Sequence, residues 1–202
     1  MDQQSLDALA LRVTRLLFVP LEASGRHVHL TQEQSKELFG HRLTPKRPLS
    51  QPGQFLANER VTLIGQKGEF SNVAVLGPER KDAQVEISLT DGRTLGLTPP
   101  IRMSGDAKHS PGITLKGALG SLTLAEGVIA AQRHIHLSPE EAAHFGVTDG
   151  QVVSIQTFTE RPVIFQDVIV RVHPQFRAAV HLDYDEANAC GMTAHSLGRI
   201  LA

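Results

Sequence analysis

Leu6, Leu9, Ala10, Val13, Leu16 and Leu17 recur at gaps of three and one, the spacing that lines one face of a helix. An amphipathic helix is therefore predicted over residues 1–18, ended by Pro20. Beyond it the period shortens to two. Strands are predicted at Arg60–Ile64, Val73–Leu76, Gln84–Ser88, Gln151–Gln156 and Val168–Val172, with turns at Asp91-Gly92 and Asp149-Gly150.

The pattern also repeats. Arg26-His27-Val28-His29-Leu30-Thr31 recurs as Arg133-His134-Ile135-His136-Leu137-Ser138, so that His27 and His134 are 107 residues apart. Phe70, Asn72 and Val73 match Phe165, Asp167 and Val168, while Val85-Glu86-Ile87-Ser88 matches Val180-His181-Leu182-Asp183, both at an offset of 95. The shorter offset places extra residues in the first copy, and the Pro-rich stretch from His41 to Gln54 has no counterpart in the second. Two similar β-rich domains, joined near residues 118–127, are expected.

Side chains two apart on a strand share a face, so His27 and His29 project together while Val28 and Leu30 pack the other way. His134 and His136 repeat the arrangement. Glu86 and His181 hold equivalent positions on the next matched strand, which makes each half a source of three ligands: His27, His29 and Glu86, then His134, His136 and His181. Three ligands with an open position is how catalytic zinc is held, and imidazole suits cobalt as well as zinc. A lone His-X-His is common in half-buried strands; two within a duplication, each with a matched third ligand, favour a metal.

A competing motif is His-X-His-X3-Glu, completed by Glu33 and Glu140 and found in cupins. Thr31-Gln32-Glu33-Gln34 and Ser138-Pro139-Glu140-Glu141 read instead as helix starts, with a hydroxyl N-cap and early carboxylates. Arg80, after Leu76-Gly77-Pro78, is a candidate anion clamp, because a guanidinium fork matches phosphate oxygens. Arg102 and Ser104 lie in a Gly- and Ser-rich loop suited to close approach by an anionic ligand. Asp183, Asp185 and Glu186 are candidates to orient ligand imidazoles.

Composition narrows the function. The 202 residues carry a formal net charge of −1, without the basic excess of a nucleic-acid binder. No uncharged stretch reaches the length of a membrane span. Cys190 is the single cysteine, and Asp2, Asp7, Arg12 and Arg15 interrupt the N-terminal apolar run, so a reducing cytoplasm is the expected compartment.

Taken in order, the Arg-His-X-His motifs, Leu76-Gly77-Pro78 through Arg80, Gln84 to Ser88, Arg102 to Gly105, and His181 through Ala189 resemble the PduL-type phosphate propanoyltransferases from about Pro20 onward. The resemblance implies a mainly β fold: two tandem antiparallel β-barrel domains, 20–122 and 123–202, with short helices, preceded by an amphipathic helix over 1–19. It implies an acyltransferase that interconverts a short-chain acyl-CoA and phosphate with acyl phosphate and CoA. It further implies two Zn2+ per chain, Co2+ or Mn2+ being alternatives, in a dinuclear site between the domains. The family's metal ligands fall on His27, His29, Glu86, His134, His136 and His181, and its phosphate-contacting arginine on Arg80; Arg102 and Ser104 are carried as candidate CoA contacts. Such proteins are associated with bacterial microcompartments for propanediol degradation, where residues 1–18 would be an encapsulation peptide that binds shell proteins. A cupin-like oxygenase or isomerase and a noncatalytic shell adaptor remain the alternatives. The oligomeric state, a homo-oligomer included, is left open.

Overall fold

The computed structural model describes residues 2–201; residue 1 of the expected helix and residue 202 of the second expected domain lie outside the described residues. The N-terminal periodicity forms α1 (Gln3–Leu17), capped by the Asp2 carboxylate, which accepts from the Ser5 amide at 2.8 Å. Leu6, Leu9, Val13, Leu16 and Leu17 are each 43–53% exposed, so the apolar stripe lies uncovered. The helix stops at Leu17, and Pro20 sits inside the following strand, β1 (Val19–Ser24).

The first series continues with β2 (His27–His29), α2 (Gln32–Phe39), β3 (Pro45–Pro48), β4 (Phe55–Ile64), β5 (Glu69–Gly77), β6 (Gln84–Glu86), α3 (Leu89–Leu95), β7 (Ile101–Arg102), β8 (Ile113–Lys116), β9 (Ser121–Leu124) and β10 (Val128–Ala131). The second comprises β11 (His134–Leu137), α4 (Pro139–Phe145), β12 (Val152–Phe158), β13 (Ile164–Val172), β14 (Ala179–Asp183), α5 (Tyr184–Ala189) and β15 (Leu197–Leu201). Helices α2, α3 and α4 each open on a hydroxyl N-cap in a capping box, Thr31 with Gln34, Ser88 with Asp91 and Ser138 with Glu141, and each closes on a left-handed glycine. Two local expectations change as a result. Asp91-Gly92 is not a turn but lies within α3, where Asp91 completes the capping box and Leu95 is buried. The stretch expected to join the domains contains β9, paired with β8.

Two compact units result, each with its own apolar core. One comprises residues 1–24, 133–182 and 186–202, the other residues 25–132 and 183–185. The first is a closed barrel in the order β1-β14-β11-β13-β12-β15; the second is a nine-stranded curled sheet in the order β7-β10-β6-β2-β5-β4-β8-β9, with β3 attached to β4. Six strands correspond one to one, from β10, β6, β2, β5, β4 and β8 to β1, β14, β11, β13, β12 and β15. Pairing is mixed rather than wholly antiparallel, since β2 runs parallel to β5 and β11 parallel to β13. The duplicated residues Asn72 and Asp167 both adopt positive φ (57° and 55°), beside matched register shifts in the β4/β5 and β12/β13 ladders.

The units are not the consecutive segments 20–122 and 123–202. Strand β1 precedes the first His-X-His strand but belongs to the barrel built on the second, while β10 precedes the second and pairs with β6 in the first copy's sheet. Each copy thus supplies its leading strand to the other. Strand β3, formed by the Pro-rich insertion, has no counterpart among the described residues of the barrel. No described helix is long and apolar enough to cross a membrane.

Candidate metal centres

Val28 and Leu30 are fully buried in one core, and Ile135 and Leu137 in the other. Strand alternation therefore sends His27 and His29 to the opposite face of β2, and His134 and His136 to the opposite face of β11. The register then brings in the third group. His27 lies opposite Glu86 in the β2/β6 pair, and His134 opposite His181 in the β11/β14 pair. Ligand atoms of His27, His29 and Glu86 lie within 4.8 Å of one another, as do those of His134, His136 and His181. The duplication thus builds the same three-residue cluster in each unit, with a carboxylate in one and a third imidazole in the other.

In the first cluster Nε2 of His27 lies 3.6 Å from Glu86 Oε2, and Nε2 of His29 lies 3.9 Å from Oε1. His27 Nδ1 makes a 2.8 Å hydrogen bond to the Gly25 carbonyl, which fixes Nδ1 as the protonated nitrogen and leaves the Nε2 lone pair facing Glu86. Ser104 donates to Glu86 Oε1 at 2.8 Å, Gln84 donates to the same oxygen, and Arg80 donates to Ser104 Oγ at 3.1 Å. The Gln84 carbonyl in turn accepts from the Gly105 amide at 2.7 Å. Burial alone would raise the Glu86 carboxyl, but His27, His29 and Ser104 outweigh it and hold the group well below the usual carboxylate range. Burial opposes charging of His27 as well, yet Glu86 beside it raises its pKa. Burial, His27 and the Arg80 guanidinium together push His29 down to about 2.

The second cluster is aromatic. The His134 and His181 rings stack at 5.1 Å, and His136 lies 4.7 Å from each of them and 4.2 Å from the Phe176 ring. Burial, followed by His134, His181 and Arg171, pushes His136 down to about 2. Its ring is neutral at pH 7, with a lone pair to offer. Glu22 Oε2 lies 3.7 Å from His181 Nε2.

Both clusters fit a divalent cation. Their donors, two imidazoles with a carboxylate and three imidazoles, match zinc and its neighbours. His136 Nδ1 is buried without a hydrogen bond, and His29 Nδ1, beside the Leu76 carbonyl, makes none of good geometry. Polar atoms left in that state are costly unless an ion or water engages the ring.

The remaining candidates are placed as follows. Arg80 stands beside the first cluster, its backbone amide bonded to the Leu30 carbonyl at 2.8 Å. Ser104 meets Glu86 directly, while Arg102 is held within its own loop by Asp106 (3.3 Å) and the Lys108 carbonyl (2.7 Å). Glu33 and Glu140 are exposed in the first turns of α2 and α4, outside both clusters, so the cupin-type set is not assembled. Asp185 accepts from Ser88 Oγ (3.1 Å) and the Thr90 amide (2.9 Å), and Glu186 from Arg133. Asp185 thus serves a helix start, and Glu186 pairs with an arginine. Gln84, Glu22 and Phe176 were not singled out from the sequence. Gln84 had a signal, since it stands two residues before Glu86 and projects to the same face of the strand.

Comparison with known proteins identifies the family. A family model described as phosphate propanoyltransferase matches residues 20–193. The chain is 50% identical over 183 residues to a phosphate propanoyltransferase of Enterococcus faecalis, covering 90% of this chain and 87% of that one. It is 52% identical over 182 residues to one from Leptotrichia buccalis (89% and 86% covered), and 46% identical over 207 residues to one from Listeria monocytogenes (100% and 97%). With the match spanning both His-X-His strands and both third-ligand strands, the chain belongs to the phosphate propanoyltransferase family and is an acyltransferase.

Proposed function

We propose that this protein interconverts a short-chain acyl-CoA, propionyl-CoA or acetyl-CoA, and phosphate with acyl phosphate and CoA. In this reading His27, His29 and Glu86 hold one divalent cation and His134, His136 and His181 a second, zinc being the expected metal. The observation that carries it is the convergence of ligand atoms to within 4.8 Å in both copies of the repeat. When bound, such ions supply Lewis acidity for orienting phosphate, polarising a thioester carbonyl and steadying a leaving thiolate.

The chain's own groups have defined tasks. Arg80 presents a guanidinium beside the first cluster, where it binds phosphate and orients it for attack on the acyl carbon. Ser104 and Gln84 hold the Glu86 carboxylate in one orientation, and Gly25 fixes the His27 tautomer. Arg102, on the Ser104 loop, is assigned to the anionic part of CoA. Transfer is direct: Cys190 is fully buried, its thiol donates to the Ala187 carbonyl at 3.4 Å, and burial raises its pKa. A thiol in that state is a poor nucleophile.

The test follows CoA thiol release from propionyl-CoA and acetyl-CoA with and without phosphate, alongside metal analysis of the purified protein. Phosphate-dependent release with two equivalents of metal is expected; less than one equivalent per chain would remove the metal reading. Arg80→Ala is expected to raise the KM for phosphate by about 10- to 100-fold, as losing a charged hydrogen bond does, with a smaller effect on acyl-CoA. An unchanged phosphate dependence would place the anion elsewhere.

Residues 1–18 are proposed as an encapsulation peptide that binds shell proteins in a microcompartment lumen, on the strength of the uncovered apolar stripe of α1. A fluorescent reporter carrying residues 1–18 should gather in shells in cells that make them; a reporter that stays diffuse overturns this part.

A further inference from the structure

Each His-X-His strand is preceded by an arginine, and each arginine pairs with an acid and lies near a phenylalanine ring. Arg26 donates through Nε and Nη2 to the two carboxylate oxygens of Asp91, at 3.0 and 2.6 Å, with its guanidinium 4.1 Å from the Phe70 ring centroid. Arg133 donates through Nη1 to Glu186 Oε1 at 2.8 Å, with its guanidinium 5.8 Å from the Phe165 centroid.

All three members of each set obey the offsets of the duplication. The arginines are 107 apart, as are His27 and His134; the acids Asp91 and Glu186 and the rings of Phe70 and Phe165 are 95 apart, as are Glu86 and His181. Each acid is the third residue of a short helix, α3 or α5, and stands five residues beyond the third candidate ligand. The ion pair therefore joins the residue just before the first histidine to the helix just after the third ligand. It closes the triad from outside.

We propose that Arg26–Asp91 and Arg133–Glu186 are duplicated positioning clamps, each setting the distance between a His-X-His strand and its third ligand so that the triad is preorganised for its ion. This rests on the metal reading above. The local geometry gives the clamp a purchase on ligand orientation. The Gly25 carbonyl, in the peptide bond to Arg26, is the group that accepts from His27 Nδ1. Gly25 packs against the Tyr184 ring, since a Cβ there would stand 2.5 Å from the Tyr184 hydroxyl. Asp91 is 5% exposed and also closes the capping box with Ser88, so the anchoring end is fixed. At Arg26 a planar fork grips both oxygens of Asp91, which constrains direction as well as distance, as a single ammonium would not.

The experiment uses full-length metal-free protein titrated with Co2+, followed by visible absorption, with thermal melting of the same metal-free samples. Wild type takes up two ions. Arg26→Gln and Asp91→Asn should each weaken one of them by about 10- to 100-fold, the usual effect of losing an outer partner of a ligand, and leave the other unchanged. Glu186→Gln should weaken the other ion instead. The Arg26→Gln/Asp91→Asn double variant should be no worse than the worse single, because the two act as a unit. Arg26→Lys, which keeps the charge and is the safer variant for folding, should recover only part of the affinity.

Variants that melt earlier but bind both ions as tightly as wild type would show a clamp serving the fold alone and overturn the proposal. Equal weakening of both ions in every variant would overturn it as well. A wild type that binds no Co2+ would sink the metal reading and the clamp with it, whereas a wild type that binds two while the variants match it sinks the clamp alone.

Discussion

The two triads occupy equivalent places in the duplicated topology and are furnished differently. Around Glu86 the structure supplies hydrogen-bond donors, Ser104 and Gln84, and Arg80 approaches from the Ser104 side. Around His136 it supplies rings, with Phe176 and two further imidazoles within 5 Å or so. In place of Gln84, the second copy has Ala179 opposite its second histidine, and no anion to orient within the triad. The scaffold therefore fixes where a ligand stands, while the neighbours set how much charge an ion there retains. Glu86 would partly neutralise a dication on the first triad; the second triad offers three imidazole donors, with the Glu22 carboxylate 3.7 Å from His181 Nε2.

The sharpest way to break this comparison is to remove its differing member. Glu86→Ala should lose the first ion by more than the roughly 10- to 100-fold that follows loss of an outer partner, abolish phosphate-dependent turnover, and leave the second ion in place. Metal content per chain and thiol release read both effects, and loss of both ions together would show the triads are not independent. The second prediction concerns protons. In the absence of metal His27 has a raised pKa, so below that value it is protonated and an ion must displace the proton. Affinity at the first triad should fall about tenfold per pH unit as pH drops through the raised pKa and level off above it; calorimetry in two buffers of different ionisation enthalpy would detect the released proton.

Ser104→Ala should act more gently. Glu86 keeps the Gln84 donor, so the cost is about 1 kcal/mol, near the low end for a lost buried hydrogen bond, read as a weakening of the first ion of roughly fivefold with the second unaffected. The smallest effect is expected far from both triads. Leu9→Gln on the uncovered stripe of α1 should change stability by no more than about 0.5 kcal/mol and alter neither ion, as thermal melting and metal titration would show.

Much of this arrangement could be read in the chain itself, for identifiable reasons. Strand alternation placed each histidine pair on one face of its strand, and the offset of 95 located the third group of each cluster, because a strand's faces follow from residue parity alone. Capping was equally local, and Thr31 and Ser138 begin helices where their hydroxyls and early acids predict. Asp91-Gly92 misled because a dipeptide common in turns also serves inside a capped helix once Ser88 and a buried Leu95 are in place. The exchange of β1 and β10 left no such trace. Which strand another will pair with is decided by tertiary packing, and both leading strands read alike in isolation. The roles of Asp185 and Glu186 were hidden for the same reason, since their partners Ser88 and Arg133 lie 97 and 53 residues away in sequence.

The crossed ownership of those leading strands has a bearing on how the polypeptide can be divided. A cut after residue 132 would leave the N-terminal piece carrying a stave, residues 19–24, that belongs to the barrel it has lost, and the C-terminal piece with a gap between its last strand and the one that bears His181. The C-terminal fragment would not be whole by itself, whereas the N-terminal one keeps every strand of the nine-stranded sheet, and mixing the two should restore the closed barrel. The linkage between the repeats is thus carried by backbone hydrogen bonds, those of β1 in the barrel and of β10 in the sheet, as well as by the covalent chain.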